Sequence, residues 1–373
     1  MTISDRLTRR NLLQQSTAVL VAAATGNLLA EETPTAHQQL QQDAAAAPLA
    51  MKFTGRTADD CRQWQQQFAA RLRQCLGPYQ PPDQWTTVVE RVVKLEDHVR
   101  QELVLKAPGH ASLPVYLLLP HQPVKTRLPG VLALHGHGPY GYDTVAGCDN
   151  RPGVAKSIES ANYDYGRQLV RRGFATVVPC FQPFGRRVDR ESYGSDDPCA
   201  ITFVRMQLLG KVLIAENLRD SLWALELLAR QERVDAEKLG CVGLSYGGRM
   251  TMLTAALDPR IRVAVVSGAL NLMQERVQVR YSCGAQVIPG LLQYGDVPEI
   301  GSLIAPRPCI WEIGDQDGLI DQEWAAQGLT RIRSAYAALG AGEQLHVDRF
   351  PGKHRWSGRL AWPLLDQVLK QDA

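Results

Sequence analysis

Five residues, Gly243-Leu244-Ser245-Tyr246-Gly247, constrain this chain more than any other part of it. They join the apolar run Leu239–Leu244 to a helix-like run from Tyr246 to Leu257. A serine at a sharp strand-to-helix turn holds a strained backbone, and side chains at the flanking positions would collide with the neighbouring strand and helix. Glycines at 243 and 247 remove that collision. A nucleophile elbow of this kind lifts Ser245 Oγ to the carboxyl end of a sheet, above first-turn backbone N–H groups that can hold an oxyanion.

Three other segments supply what such a serine needs. Upstream, Leu128-Pro129-Gly130-Val131-Leu132-Ala133-Leu134 reads as a buried strand that runs into the glycine-rich turn His135-Gly136-His137-Gly138. The backbone N–H groups of His137 and Tyr246 are the expected oxyanion donors. His135 and His137 read otherwise as loop histidines, because no Cys, Asp or Glu stands at ligand spacing before Asp143. Downstream, the strand Cys309–Ile313 ends in Gly314-Asp315-Gln316-Asp317, where Asp317 fits the acid of a Gly-x-x-Asp turn and Asp315 fits a turn cap. His354 follows the alternating strand Gln344–Phe350 in a Pro-Gly loop, free to swing over the sheet end, while His346 within that strand reads as structural. Ser245, Asp317 and His354 are thus the expected nucleophile, orienting acid and general base, in that chain order.

The surrounding pattern is that of a doubly wound, mostly parallel α/β sheet. Cys61, Trp64, Phe68, Leu72 and Leu76 recur at helical spacing, Val88–Leu105 alternates like two antiparallel strands, and Leu113–Pro120 is a further strand. Strand-like runs at Val131–His135, Ala175–Pro179, Leu239–Leu244, Val263–Ser267, Cys309–Ile313 and Gln344–Phe350 then alternate with helical ones. Two long insertions, Tyr140–Ala161 and Phe181–Gly210, follow strands on the side of the expected site and are candidates for the substrate rim, with a solvated loop as the alternative.

Composition narrows the function classes. The 373 residues carry a net charge of +3 with no block of like charges, which gives no reason to expect a nucleic-acid partner. Residues 1–30 hold Arg9-Arg10, a mildly apolar alanine-rich stretch and a cleavage point after Ala30, the pattern of a twin-arginine export signal; an amphipathic helix with a chance Arg pair is the alternative. That stretch is too short for a membrane span. Residues 31–50, rich in Gln and Ala, read as a disordered linker before a single domain at 51–373. Eight cysteines permit disulfides in an exported chain, yet Cys241 and Cys309 fall inside core strands, and no Cys-x-x-Cys pair points to zinc. No metal or other cofactor is expected.

With these residues in view, the chain resembles the α/β-hydrolase superfamily, and within it the bacterial esterases similar to dienelactone hydrolases and acetyl xylan esterases. The resemblance runs from about Pro114 to the C-terminus and rests on His135-Gly136-His137-Gly138, Arg219-Asp220, the elbow, Ala305-Pro306-Arg307-Pro308 before Asp317, and His354. Serine rather than cysteine at position 245 departs from dienelactone hydrolases proper and implies esterase chemistry on short acyl or carbohydrate esters. An exported peptidase-like hydrolase and a non-catalytic binding protein of the same fold are the alternatives.

Overall fold

A computed structural model describes residues 33–121 and 127–371; the expected export signal at 1–30 lies outside them. Nine strands form one sheet: β1 (Thr86–Lys94), β2 (His98–Lys106), β3 (Leu113–Pro120), β4 (Leu128–Leu134), β5 (Ala175–Pro179), β6 (Val234–Leu244), β7 (Ile261–Ser267), β8 (Cys309–Gly314) and β9 (Leu345–Phe350). Their spatial order is β1-β2-β3-β5-β4-β6-β7-β8-β9. The first three strands and β5 pair antiparallel, and every pair from β5 to β9 is parallel.

The parallel strands read as unbroken apolar runs because both sheet faces are covered. Alternate residues go to opposite faces. Leu132, Leu134, Cys241, Ala264, Val266, Cys309 and Trp311 join one core with helices Ala58–Leu76, Leu213–Ala229, Tyr246–Leu257 and Gln322–Ala338. Val131, Ala133, Val242, Leu244, Val263, Val265 and Ile310 join a second core with helices Tyr165–Arg171 and Ala361–Lys370. In helix Ala58–Leu76, Thr57 and Asp60 close a reciprocal capping box, and the five residues at helical spacing are all buried.

The reading of residues 31–50 as a disordered linker does not hold. Ala36–Ala45 is a helix, capped by Thr35 and Gln38 in a second capping box. It finds partners the local sequence does not reveal: Gln41 Nε2 donates to Gln278 O (2.6 Å), and the helix's Ala44 carbonyl accepts from Gln274 Nε2 (2.9 Å). The N–H groups of Leu49, Ala50 and Met51 donate to the carbonyls of Leu292, Gln293 and Tyr294. Docking onto 273–294 therefore orders a segment whose composition alone would not fold.

β4 and β6 are neighbours, yet the chain leaves β4 for β5 on one side before β6 returns on the other. The strand order thus reverses at β4, and the carboxyl ends of β4 and β6 flank the crevice such a reversal opens. No single helix among the described residues is long and apolar enough to cross a membrane.

Candidate active site

Ser245 has φ 64° and ψ −122°, a backbone that only a locked turn imposes on a serine. The lock is steric. A Cβ on Gly247 would lie 1.9 Å from Leu134 O, and one on Gly243 would lie 2.4 Å from the Gly247 carbonyl. The Ser245 N–H donates to Ser267 O (2.9 Å), tying the elbow to β7. Helix Tyr246–Leu257 starts at the next residue, so the Tyr246 N–H is one of the first-turn donors that lack an intrahelical acceptor. The Tyr246 ring turns away into the core, where its hydroxyl accepts from Asn217 Nδ2 (2.7 Å).

The turn after β4 lies against the elbow. A Cβ on Gly136 would meet Tyr163 Oη at 2.1 Å and Ser245 Cβ at 3.0 Å. His135 is wholly buried and burial lowers its pKa to about 4, so it is neutral at ordinary pH. Its Nδ1 donates to Gly136 O (2.8 Å) and its Nε2 accepts the Phe181 N–H (2.9 Å), joining the turn to the end of β5. His137 instead faces the cavity beside Ser245.

The two aspartates after β8 have different partners. Asp317, only 4% exposed, bonds His354 Nδ1 through Oδ2 at 2.7 Å. Asp315 accepts the Gly352 N–H (2.9 Å) and so fastens the loop that carries the histidine. Gly314 permits this close approach, since a Cβ there would lie 2.5 Å from Gly352 O. His354 Nε2 is buried and has no hydrogen-bond partner among the described residues. Beneath the pair, Glu312 accepts the N–H groups of Ser357 (3.2 Å) and Gly358 (2.8 Å), and burial raises its pKa to about 7.

Ser245, His137 and His354 line one cavity of about 670 Å³. That volume is in the range of small-molecule sites. Its walls correct the expected rim. Neither Tyr140–Ala161 nor Phe181–Gly210 lines it; the segment Gly268–Gln286, between β7 and β8, does, through Asn271, Arg276, Arg280, Tyr281 and Cys283 among others. The first expected insertion is held down elsewhere: Asp143, nearly buried, accepts from Tyr116 Oη (2.7 Å) and from Arg151 Nη1 (2.8 Å). The second is rooted by Asn217, which bonds both the N–H and the carbonyl of Gln182, and by Arg187, which donates to buried Asp220.

Sequence reasoning missed Gly268–Gln286 because it has little periodicity. The signal was its length: residues 268–308 separate two adjacent parallel strands, more than such a connection needs. Arg276 Nη2 donates to Leu319 O (2.5 Å) and Arg280 donates to Gly318 O, which ties this rim to the turn bearing Asp317. Also missed was a meeting of His137, Cys199 and Cys283, whose ligand-type atoms all lie within 4.8 Å of one another. The neighbouring Cys199 and His137 hold the Cys283 thiol below the ordinary thiol range, while Cys283 and burial push Cys199 up. All eight cysteines are free thiols.

Comparison with known proteins agrees with this architecture. Residues 213–272, from helix Leu213–Ala229 through the elbow, match the Prolyl oligopeptidase family. Over 284 residues the chain is 29% identical to the Bacillus subtilis protein named "Putative hydrolase YtaP", covering 73% of this chain and 89% of that one. Among solved structures, one described as a "putative acetyl xylan esterase" from Bacteroides fragilis superposes with a TM-score of 0.77 at 16% identity, covering 90% of this chain and 96% of the other. A glucuronoyl esterase from Solibacter usitatus gives 0.60 at 14% identity, covering 85% and 97%. The reversed strand order, the locked elbow and these likenesses together give this chain the α/β-hydrolase fold.

Proposed function

We propose that the protein is a serine carboxylesterase acting on carbohydrate esters with a small acyl or alkoxy group. The observation that carries this reading is the convergence of Ser245, on its strained turn, and the His354–Asp317 pair on one cavity. In the proposed cycle His354 Nε2 takes the proton of Ser245 Oγ as the oxygen attacks the ester carbonyl. The N–H groups of His137 and Tyr246 receive the oxyanion, and the imidazolium returns its proton to the departing alcohol. Water then repeats the attack on the acyl-serine and releases the acid. Asp317 holds the Nδ1–H tautomer and stabilises the imidazolium.

The rim supports a carbohydrate substrate. Tyr281 is 91% exposed at the cavity wall, an aromatic face offered to solvent where a sugar ring can lie. Arg276 and Arg280 add donors suited to hydroxyl or carboxylate oxygens. Carbohydrate esterases of this fold, named above, are consistent with that class. A peptidase is the second reading, favoured by the match of 213–272 to the Prolyl oligopeptidase family. We also propose export by the twin-arginine route; an Arg9→Lys, Arg10→Lys double variant retained in the cytoplasm while the parent chain is exported would support it.

The test is hydrolysis of nitrophenyl acetate through octanoate, acetylated xylan oligomers and a proline-containing peptide anilide by the purified protein. Activity on acetate and xylan oligomers, abolished in Ser245→Ala and His354→Ala, is expected. Cleavage of the anilide without ester turnover selects the peptidase reading, and a folded protein inert on every substrate defeats the enzymatic one.

A further inference from the structure

The side chains of His137, Cys199 and Cys283 meet at atoms that the proposed ester chemistry does not use, and their meeting has its own consequence. The three residues come from three separate parts of the chain: the turn after β4, helix Pro198–Leu208 within the Phe181–Gly210 insertion, and the Gly268–Gln286 rim. One imidazole nitrogen and two thiol sulfurs within 4.8 Å of one another are spaced as the corners of a small coordination polyhedron. Sulfurs around a tetrahedral zinc ion stand nearly 4 Å apart, given bonds of about 2.3 Å, so small side-chain rotations close the set. Cys199 is only 6% exposed, His137 Nε2 is buried without a hydrogen-bond partner among the described residues, and Cys283 opens onto the cavity.

We infer that His137, Cys199 and Cys283 form a binding site for a thiophilic divalent cation of the zinc class, entered from the cavity. Two thiolates and an imidazole are soft and borderline ligands that select such an ion over magnesium or calcium. Binding exchanges two thiol protons for one dication: M²⁺ joins two sulfurs and one nitrogen, and two H⁺ leave to solvent. The fourth coordination position remains for water. The ion would fasten the rim and helix Pro198–Leu208 to the turn that carries the His137 N–H, and so stiffen the cavity wall. Phe203, packed against Gly284, already holds those two segments together.

The experiment uses the full chain, reduced and freed of metal. Zinc is titrated against a chromogenic chelator, cobalt(II) is added in a parallel sample, and cysteines are mapped by alkylation and mass spectrometry with and without zinc. One zinc per chain, a thiolate-to-cobalt charge-transfer band, and protection of Cys199 and Cys283 but not Cys75 are expected. Cys199→Ser and Cys283→Ser should each weaken zinc binding by more than about 100-fold, beyond the 10- to 100-fold typical of losing an outer partner. Zinc should also raise the Tm of the parent chain. Absence of stoichiometric zinc, a cobalt spectrum without thiolate bands, or equal alkylation of all three cysteines with and without zinc overturns the site. A Cys199–Cys283 disulfide that forms in air, combined with no zinc uptake after reduction, overturns it in favour of a redox pair. None of these outcomes depends on ester turnover.

Discussion

The two edges of the candidate site are built on different physical terms. On one side, the turns after β4 and β6 interlock so tightly that a single added methyl at Gly247 would meet backbone at 1.9 Å. On the other, the Gly268–Gln286 rim consists of a short α-helix, a single 3-10 turn, irregular chain and side chains turned to the cavity, with Tyr281 and Val279 largely exposed. The turns hold a fixed geometry through close backbone contacts between them, with Gly247 set against Leu134 O and Gly136 against Ser245. The rim is placed by long-range contacts, such as those of Arg276 and Arg280 with 318–319, and can vary without disturbing the sheet. In the proposed esterase, such a scaffold separates the reacting atoms from the surface that selects the substrate.

The contrast can be broken first at its strongest point. Ser245→Ala should lower kcat/KM on nitrophenyl acetate by about 10³- to 10⁶-fold while leaving the thermal transition nearly unchanged. A smaller loss would remove Ser245 from the reaction. Next comes Gly247→Ala, which should destabilise the fold by about 3 kcal/mol in urea unfolding, because the new methyl meets Leu134 O and neither backbone can retreat. A tolerated alanine there would show that the turns are no more rigid than the rim.

Glu312 tests the layer beneath the histidine loop. Its pKa is raised from 4.5 to about 7, so the folded state binds a proton that the unfolded chain has already lost. The resulting stability is fully present below about pH 4.5 and is lost as pH rises through about 7, by on the order of 3 kcal/mol. Glu312→Gln should flatten that slope in unfolding curves taken across this range. An unchanged slope would place the titration elsewhere.

The rim variants come last. Arg280→Ala should raise KM about tenfold on carbohydrate esters, with less effect on nitrophenyl acetate, if the guanidinium contributes one charge-assisted bond to the larger substrate. Asn150→Ala, in the insertion that does not line the cavity, should leave KM within about twofold, the usual reach of an exposed substitution. Equal effects from both would return Tyr140–Ala161 to the substrate rim.

Legibility in the sequence follows the same division. Ala175–Pro179 and Tyr246–Leu257 have the bounds their patterns indicate, and the other expected parallel strands differ from the structure by a few residues at their ends. Buried strands and sterically locked turns write themselves into local residue choice. Helix Ala36–Ala45 was illegible because Gln41 and the Ala44 carbonyl are paired with residues more than two hundred positions away. The preference for Asp317 over Asp315 was legible in the Gly-x-x-Asp pattern, and the structure gives Asp317 to His354 Nδ1 and Asp315 to the Gly352 N–H.

The sequence by itself determined the alternation of strands and helices, the elbow at Ser245 and the chain order of the serine, acid and histidine. Each is recorded in short local patterns, namely side-chain period for the alternation, the two glycines for the elbow, and three separate turn motifs for the order. Only the tertiary structure decided that Gly268–Gln286 walls the cavity, that two conspicuous insertions do not, and that His137, Cys199 and Cys283 meet. Those facts depend on how distant loops fold across a sheet end, where contact follows the path of the whole chain and no local spacing records it.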